Sequence, residues 1–171
     1  KINKYYARDY LYFNQQGNLI QDNSNGEATV FQVKKQTKLG NFIVNNGIVL
    51  QSITIKYLDF PNWASSNGIS YHNKLYKKLL DVNIGIESLY YPEYFAPQYN
   101  PSLGIFQPQY QKKLGNFPTF NAFLSIKYKP IRILVKYNEI YSQINSKNFH
   151  ILHYPQSSGY LTVAVSWLFY D

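Results

Sequence analysis

The stretch Tyr160-Leu-Thr-Val-Ala-Val-Ser-Trp-Leu-Phe-Tyr-Asp171 decides the fold that the sequence predicts. Its larger apolar side chains alternate with smaller ones, so that one face carries Leu161, Val163, Val165, Trp167 and Phe169. A period of two is typical of a β-strand whose faces meet different environments. Terminal residues usually fray, so aromatic residues at the tip favour a closed barrel whose last strand pairs with an earlier one. The alternative is an ordinary last strand of a soluble sheet.

The composition points away from an ordinary soluble domain and from a helical membrane protein. The chain has 171 residues, of which 18% are aromatic and 15% charged, whereas soluble domains are roughly one quarter charged. No run approaches the ~20 apolar residues of a membrane-spanning helix. A transmembrane barrel, in which only alternate residues face lipid, remains compatible. The length suits one domain over residues 1–171.

The net charge and the absence of Cys and Met limit the functions that the sequence allows. A formal charge of +8 fits nucleic acid, anionic lipid or a passage for anions. The basic residues are scattered, and only Arg8 and Arg132 are arginines, the usual base-reading residue, so nucleic acid is not an expected partner. The chain has no Cys and therefore no disulfide or thiolate site. It also has no Met, so we expect a processed chain or a piece of a longer one.

Segments of strand character follow one another without a convincing amphipathic helix. We expect eight strands, at about residues 2–13, 28–39, 42–57, 69–76, 79–90, 119–128, 131–141 and 160–171. Short turns at Gly40-Asn41, Lys77-Lys78 and Lys129-Pro130 alternate with long loops at 14–27, 58–68, 91–118 and 142–159. That alternation is typical of an antiparallel up-and-down transmembrane β-barrel, with periplasmic turns and extracellular loops.

Alternation along each segment separates two faces. In segment 79–90, Leu80, Val82, Ile84 and Ile86 share one face, and Asp81, Asn83, Gly85 and Glu87 share the other. The predicted lumen-facing residues are Lys34, Lys38, Lys74, Asp81, Asn83, Glu87, Arg132, Lys136 and Asn138. The predicted lipid-facing or aromatic-girdle residues are Val82, Ile84, Ile86, Tyr90, Tyr128, Val163, Val165, Trp167 and Phe169. Tyr is also a good strand former, and a soluble barrel would turn the polar face outward instead.

The chemistry-bearing residues leave alternatives open. The lumen charges indicate either a weakly anion-preferring passage or a packed, self-neutralising interior. His150 and His153 have a spacing that could bind metal on a helix, but they lie in a predicted loop, so we expect no metal and no cofactor. Ser70, His72 and Asp81 could supply a hydrolase triad, but no nucleophile motif frames them. We therefore expect no enzyme activity.

Several loop motifs carry a resemblance. They are Gly85, Leu89-Tyr90-Tyr91, Tyr94-Phe-Ala-Pro-Gln-Tyr-Asn-Pro101, Gly104-Ile-Phe-Gln-Pro-Gln109, Leu114-Gly-Asn-Phe-Pro118, Phe120-Asn-Ala-Phe123, His153-Tyr-Pro155, Gly159 and Ser166-Trp-Leu-Phe169. Over about residues 60–171 the chain resembles the putative porin family of Bacteroidetes outer membranes. It departs from the family pattern mildly at Phe117, where Tyr is usual, and at Asn121, where Asp is usual.

The resemblance implies an outer-membrane β-barrel of a Gram-negative bacterium that passes small solutes by passive diffusion through a polar lumen. The alternative is a non-conducting structural or partner-binding barrel subunit. Family members look longer than this chain, so the resemblance also implies that these strands form the C-terminal part of a larger barrel. The implied partners are membrane lipid and lipopolysaccharide, the barrel-assembly machinery through the C-terminal strand, and an outer-membrane protein partner.

Overall fold

The computed structural model describes residues 1–55, 57–140, 151–154 and 158–168. These residues form β1 (Ile2–Ala7), β2 (Tyr10–Phe13), β3 (Leu19–Asp22), β4 (Gly26–Leu39), β5 (Phe42–Ile53), β6 (Trp63–Leu75), β7 (Leu80–Tyr90), β8 (Gln98–Asn100), β9 (Ile105–Gln107), β10 (Thr119–Tyr128), β11 (Ile131–Asn138) and β12 (Tyr160–Trp167). In this part of the chain, no helix is long and apolar enough to cross a membrane.

One large sheet organises the molecule. Its eight strands follow the order β1-β4-β5-β6-β7-β10-β11-β12, and every neighbouring pair is antiparallel. The all-β, antiparallel prediction is confirmed. Within the described residues β1 and β12 are the two edges and do not pair with each other, so the sheet is open. The closed barrel that the sequence predicts therefore stays a prediction.

Several strand boundaries differ from those predicted: β4 begins at Gly26 instead of about 28, and β5 ends at Ile53 instead of about 57. The strand predicted at 69–76 begins at Trp63, which shortens the predicted loop 58–68. Its first part, Ala64-Ser-Ser-Asn-Gly68, has poor intrinsic strand propensity. It is nevertheless extended because β5 and β7 pair with it from both sides. The segment predicted at 2–13 splits into β1 and β2 around Asp9, whose φ is 48°.

Two of the predicted loops contain hairpins of their own. Within 91–118, β8 pairs with β9, and an isolated bridge joins Tyr94 to Leu114. Within 14–27, the side-chain oxygen of Asn14 accepts hydrogen bonds from the backbone N–H groups of Gln16 and Asn18, at 3.0 and 2.9 Å. This turn joins β2 to β3. Most of the predicted loop 142–159 lies outside the described residues.

The tightly buried apolar side chains lie in the loops and not in the sheet. Among the described residues they are Ala96, Leu114, Phe117 and Leu152. In contrast, Ile84 and Ile86 in the middle of β7 are each 52% exposed. A soluble sheet needs a second layer over its apolar face, and the described residues supply none for Ile84 and Ile86. The sheet therefore presents a wide apolar surface to its surroundings.

Candidate functional site

The strand register assigns every sheet residue to one of two faces, because cross-strand partners share a face. Lys74 is opposite Asp81, Asp81 is opposite Lys127, and Lys127 is opposite Arg132. We call their side of the sheet the polar face. The charged residues on it are Lys34, Lys38, Lys74, Asp81, Glu87, Lys127, Arg132 and Lys136. The opposite side, the apolar face, carries Ile69, Ile84, Ile86, Leu124, Val135 and Val163.

The predicted site residues divide between these faces. Every predicted lumen residue lies on the polar face: Lys34, Lys38, Lys74, Asp81, Asn83, Glu87, Arg132, Lys136 and Asn138. The predicted lipid or girdle residues Val82, Ile84, Ile86, Tyr90, Tyr128, Val163, Val165 and Trp167 lie on the apolar face. Phe169 lies outside the described residues. That these faces meet a lumen and lipid stays a prediction.

One hydrogen bond and one ion pair join strands across the polar face. The His72 Nε2 atom lies 2.7 Å from Asp81 Oδ1, and Lys136 Nζ lies 2.9 Å from Glu87 Oε2. The ion pair passes over β10, which separates β7 from β11. The remaining basic side chains of this face have no ion-pair partner among the described residues; they are Lys34, Lys38, Lys74, Lys127 and Arg132. Positive charge is therefore in excess on the polar face.

Lys127 is a polar-face residue that the predicted lumen set missed. It lies opposite both Asp81 and Arg132. The sequence already indicates the face on which Lys127 lies. Along the segment predicted at 119–128, Asn121, Phe123, Ser125 and Lys127 alternate with apolar residues. The alternation on the neighbouring strand located Asp81 and would have located Lys127 in the same way.

The residues considered for a hydrolase lie on adjacent strands. His72 binds Asp81, and Ser70 is buried two positions earlier on β6. No hydrogen bond between Ser70 and His72 is present in the described part of the chain. Beside this pair, the side-chain oxygen of Asn83 is buried without a hydrogen-bond partner among the described residues. Asn83 lies opposite His72, so an unused acceptor adjoins the hydrogen bond between His72 and Asp81.

A close packing contact lies in the middle of the polar face. A Cβ atom on Gly85 would lie 2.7 Å from the Ile69 carbonyl oxygen, 2.7 Å from Ser70 Cβ and 2.8 Å from the Phe123 ring. Only glycine fits at this position, since these distances are far shorter than van der Waals contact. Phe123 therefore packs directly against the backbone of β7.

Aromatic pairs mark both ends of the apolar face. Near the short turns, the rings of Phe42 and Tyr71 lie 5.2 Å apart. Near the long loops, the rings of Trp63 and Tyr90 lie 5.3 Å apart. One row interrupts the apolar surface between them, because register places Lys35, Asn46, Asn67 and Ser88 side by side. Between the two aromatic pairs, the rest of the face is suited to an apolar environment. Beyond the Trp63 pair, the same side of the sheet also carries an ion pair between Lys4 and Glu27 at 3.3 Å.

The long loops pack together at one end of the sheet. We call this the loop cluster, formed by residues 12–17, 57–60, 91–118 and 151–154. The Phe95 N–H donates to Asp59 Oδ2 at 2.7 Å. Gln107 Nε2 donates to the Gln15 carbonyl at 2.8 Å, and the rings of Tyr99 and Tyr154 lie 5.8 Å apart. These contacts join segments that are distant in sequence.

Gln109 organises the interior of the loop cluster. It is 2% exposed. Its Nε2 donates to the carbonyls of Ala96 and Lys112 at 2.8 and 2.7 Å. Its Oε1 accepts from the backbone N–H groups of Gln111 and Lys112 at 2.9 and 3.0 Å. One side chain thus satisfies four backbone groups inside the loop 91–118.

Several tyrosines of the loop cluster have raised pKa values, and Tyr91 and Tyr94 show the cause. Burial, with smaller contributions from the nearby Tyr94 and Glu139, raises the pKa of Tyr91 to about 12. Burial, followed by the charge of Asp59, also raises the pKa of Tyr94. Removing water disfavours the phenolate, because the charged form loses its hydration. The loop cluster therefore holds these side chains in their neutral form.

Comparison with known proteins agrees with this architecture. The chain matches the family model described as "Putative porin" over residues 2–171, which is nearly its whole length. No curated protein and no solved structure matches it. The match extends through the first half of the chain, which the loop motifs alone did not reach. The chain belongs to the putative porin family.

Proposed function

We propose that the sheet closes into a β-barrel in the outer membrane of a Gram-negative bacterium and that small solutes diffuse passively through its lumen. In this arrangement the polar face lines the lumen and the apolar face contacts lipid. The observation that carries the proposal is the separation of side chains between two faces, with no second layer over Ile84 and Ile86 among the described residues. The family description is consistent with a porin-like role.

The dimensions of the sheet suit a membrane. A tilted strand needs ~9–11 residues to cross the hydrocarbon layer, and β7 and β10 have 11 and 10 residues. In lipid, each backbone N–H and C=O must be satisfied inside the protein, so the two edges must be paired. An open sheet would leave β12 with one unpaired edge in lipid. Closure is therefore the form in which this sheet is stable in a membrane.

We infer that closure involves further strands between β1 and β12. A barrel of eight strands would be filled by its own side chains and would conduct little. A larger barrel leaves room for a lumen.

Engineered disulfides test the closure, because the natural chain has no Cys. Tyr5→Cys would be combined in turn with Thr162→Cys, Ala164→Cys and Ser166→Cys, all on the polar face. We expect none of the pairs to oxidise within a monomer. As a positive control, Leu134→Cys with Ala164→Cys joins direct neighbours of β11 and β12 and should oxidise readily. Efficient bonding of Tyr5→Cys to one β12 position would establish closure by eight strands.

A structural, non-conducting barrel subunit is the second candidate. The observation that favours it is the loop cluster, in which Gln107 binds Gln15 and Phe95 binds Asp59 across the end of the sheet. Such a cluster could obstruct a lumen or present a surface to an outer-membrane partner. The two candidates differ in conductance, which the following experiment measures.

The folded protein would be purified in detergent and inserted into planar bilayers. We expect a heat-modifiable band on gels and stable conductance steps. A folded, heat-modifiable protein that gives no steps would contradict the pore and favour the structural subunit. A protein that stays in solution without detergent would contradict the membrane barrel altogether.

A further inference from the structure

A row of charged side chains crosses the polar face near the short turns. Register places Lys74, Asp81, Lys127 and Arg132 directly side by side on β6, β7, β10 and β11, and Ser166 of β12 extends the row. Directly opposed residues in an antiparallel pair have Cα atoms about 4.5–5.5 Å apart. We call this set the basic row. It gathers three cations within four neighbouring strands.

The basic row is not neutralised internally. Its one carboxylate, on Asp81, lies 2.7 Å from His72 Nε2. Lys74, Lys127 and Arg132 have no ion-pair partner among the described residues. Lys127 and Arg132 lie directly opposite each other, an arrangement of like charges that destabilises a strand pair. A bound anion would remove that repulsion.

The charged groups of the basic row are accessible. Lys74, Lys127 and Arg132 are exposed, so an ion can reach their charged groups. Elsewhere on this face, Lys136 is neutralised by Glu87 at 2.9 Å. Charges of one sign that line a cleft with low-dielectric walls raise the local concentration of counter-ions. The row would have this effect at the turn end of a closed lumen.

We propose that Lys74, Lys127 and Arg132 form an anion-binding site that makes the pore prefer small anionic solutes, those with phosphate or carboxylate groups. This inference rests on the proposed function, since it gives the class of solute that the same lumen favours. Arg132 can bind two oxygens of a phosphate or carboxylate at once. The two lysines add point charges on the neighbouring strands.

The test compares two variants that remove the same charge. The row variant is Lys74→Gln with Lys127→Gln and Arg132→Gln. The turn variant is Lys77→Gln with Lys78→Gln and Lys129→Gln, which removes three cations from the same end of the sheet but outside the row. Reversal potentials across a potassium chloride gradient give the chloride-to-potassium permeability ratio. Inorganic phosphate serves as the probe, both as a blocker of chloride current and as a ligand of the detergent-solubilised protein.

We expect the natural protein and the turn variant to prefer chloride and to be blocked by phosphate. The row variant should lose chloride preference by at least about threefold at low salt, where charges are least screened, and it should lose phosphate block. Equal behaviour of the two variants, with a heat-modifiable band in each, would overturn the site. If the natural protein conducts nothing, the pore fails, and phosphate binding in detergent still decides the site. Binding must then be lost in the row variant and kept in the turn variant, and any other pattern overturns the proposal.

Discussion

Asp81 Oδ1 lies 2.7 Å from His72 Nε2, although the direct register neighbours of Asp81 are Lys74 and Lys127. The acid of the basic row therefore interacts with a side chain outside the row. This leaves Lys74 and Lys127 available to a solute. A substitution that neutralises Asp81 would raise the net charge of the basic row.

Removing that acid should strengthen the preference for anions. We expect Asp81→Asn to raise the chloride-to-potassium permeability ratio by roughly twofold or more at low salt, because a negative charge leaves the row. Reversal potentials in bilayers would measure the change. The matched control is Glu93→Gln, which removes an exposed acid paired with Lys113 at 3.8 Å in the loop 91–118. If Glu93→Gln shifted the chloride-to-potassium permeability ratio as much as Asp81→Asn, the effect would not be local to the basic row.

The loop cluster should open when Gln109 is replaced by Leu. This change leaves the carbonyls of Ala96 and Lys112 and two backbone N–H groups without their partner. Each buried group left unsatisfied costs about 1–3 kcal/mol. We expect rapid proteolysis within 91–118, with the sheet intact on a heat-modifiable gel. Gln111→Leu makes the same chemical change at an exposed position and should leave the cleavage rate near that of the natural protein.

The same pair of variants tests whether the loop cluster obstructs the lumen. If it does, Gln109→Leu raises single-channel conductance and Gln111→Leu does not. Unchanged conductance in an opened Gln109→Leu protein would show that solutes pass beside the cluster.

Gly85→Ala should destabilise the sheet. The added methyl group would lie 2.7 Å from the Ile69 carbonyl oxygen and 2.8 Å from the Phe123 ring. Overpacking of this kind costs about 1–3 kcal/mol, which urea titration of the detergent-folded protein would detect. Gly68→Ala is the control, since its nearest neighbour is 3.5 Å away. Equal stability of the two variants would show that β6 and β10 can move away from Gly85 with no loss of free energy of unfolding.

Alkaline pH should loosen the loop cluster. The pKa of Tyr91 is raised to about 12 from the ordinary value of 10.0. In that interval the folded protein keeps a proton that the opened chain releases, so the free energy of opening falls as pH rises. The stabilisation is complete below pH 10 and is lost as pH passes through the folded pKa.

Tyrosinate absorbance would follow this change. We expect Tyr91→Phe to lower the amplitude of the late step, near pH 12, in the titration of the natural protein, because burial delays ionisation of this phenol. The pKa of Tyr12 is also raised to about 12, so part of the step remains. Tyr76→Phe removes a tyrosine that is 79% exposed in a turn and should leave the amplitude unchanged. An unchanged amplitude in Tyr91→Phe would contradict the assignment of part of the late step to Tyr91.

The alternation of side chains was sufficient to predict most of the sheet. A segment such as Leu80–Tyr90 carries aliphatic residues at every second position, and period-two alternation is a local property of the sequence. The predicted faces follow from it. Trp63–Gly68 escaped prediction because its extended conformation depends on β5 and β7, which are distant in sequence.

The packing of the loops could not be predicted in this way. β8 and β9 have 3 residues each, too few to show a period. Nothing around Gln109 distinguishes it from Gln111, yet one is buried and the other exposed. Likewise, the pairing of His72 with Asp81 depends on register between strands. The sequence predicted Asp81 as a lumen residue but not which side chain would bind it.

The position of the buried core in the loops has a consequence for how the protein is made. Gln15 and Gln107 are 92 positions apart, so their hydrogen bond joins segments that are distant in the chain. Among the described residues no second layer covers Ile84 and Ile86, so in water this packing alone does not bury the apolar face. For the barrel proposed above, we therefore expect that the chain must be kept from aggregating until it reaches lipid, and that the loop cluster forms after the strands have paired.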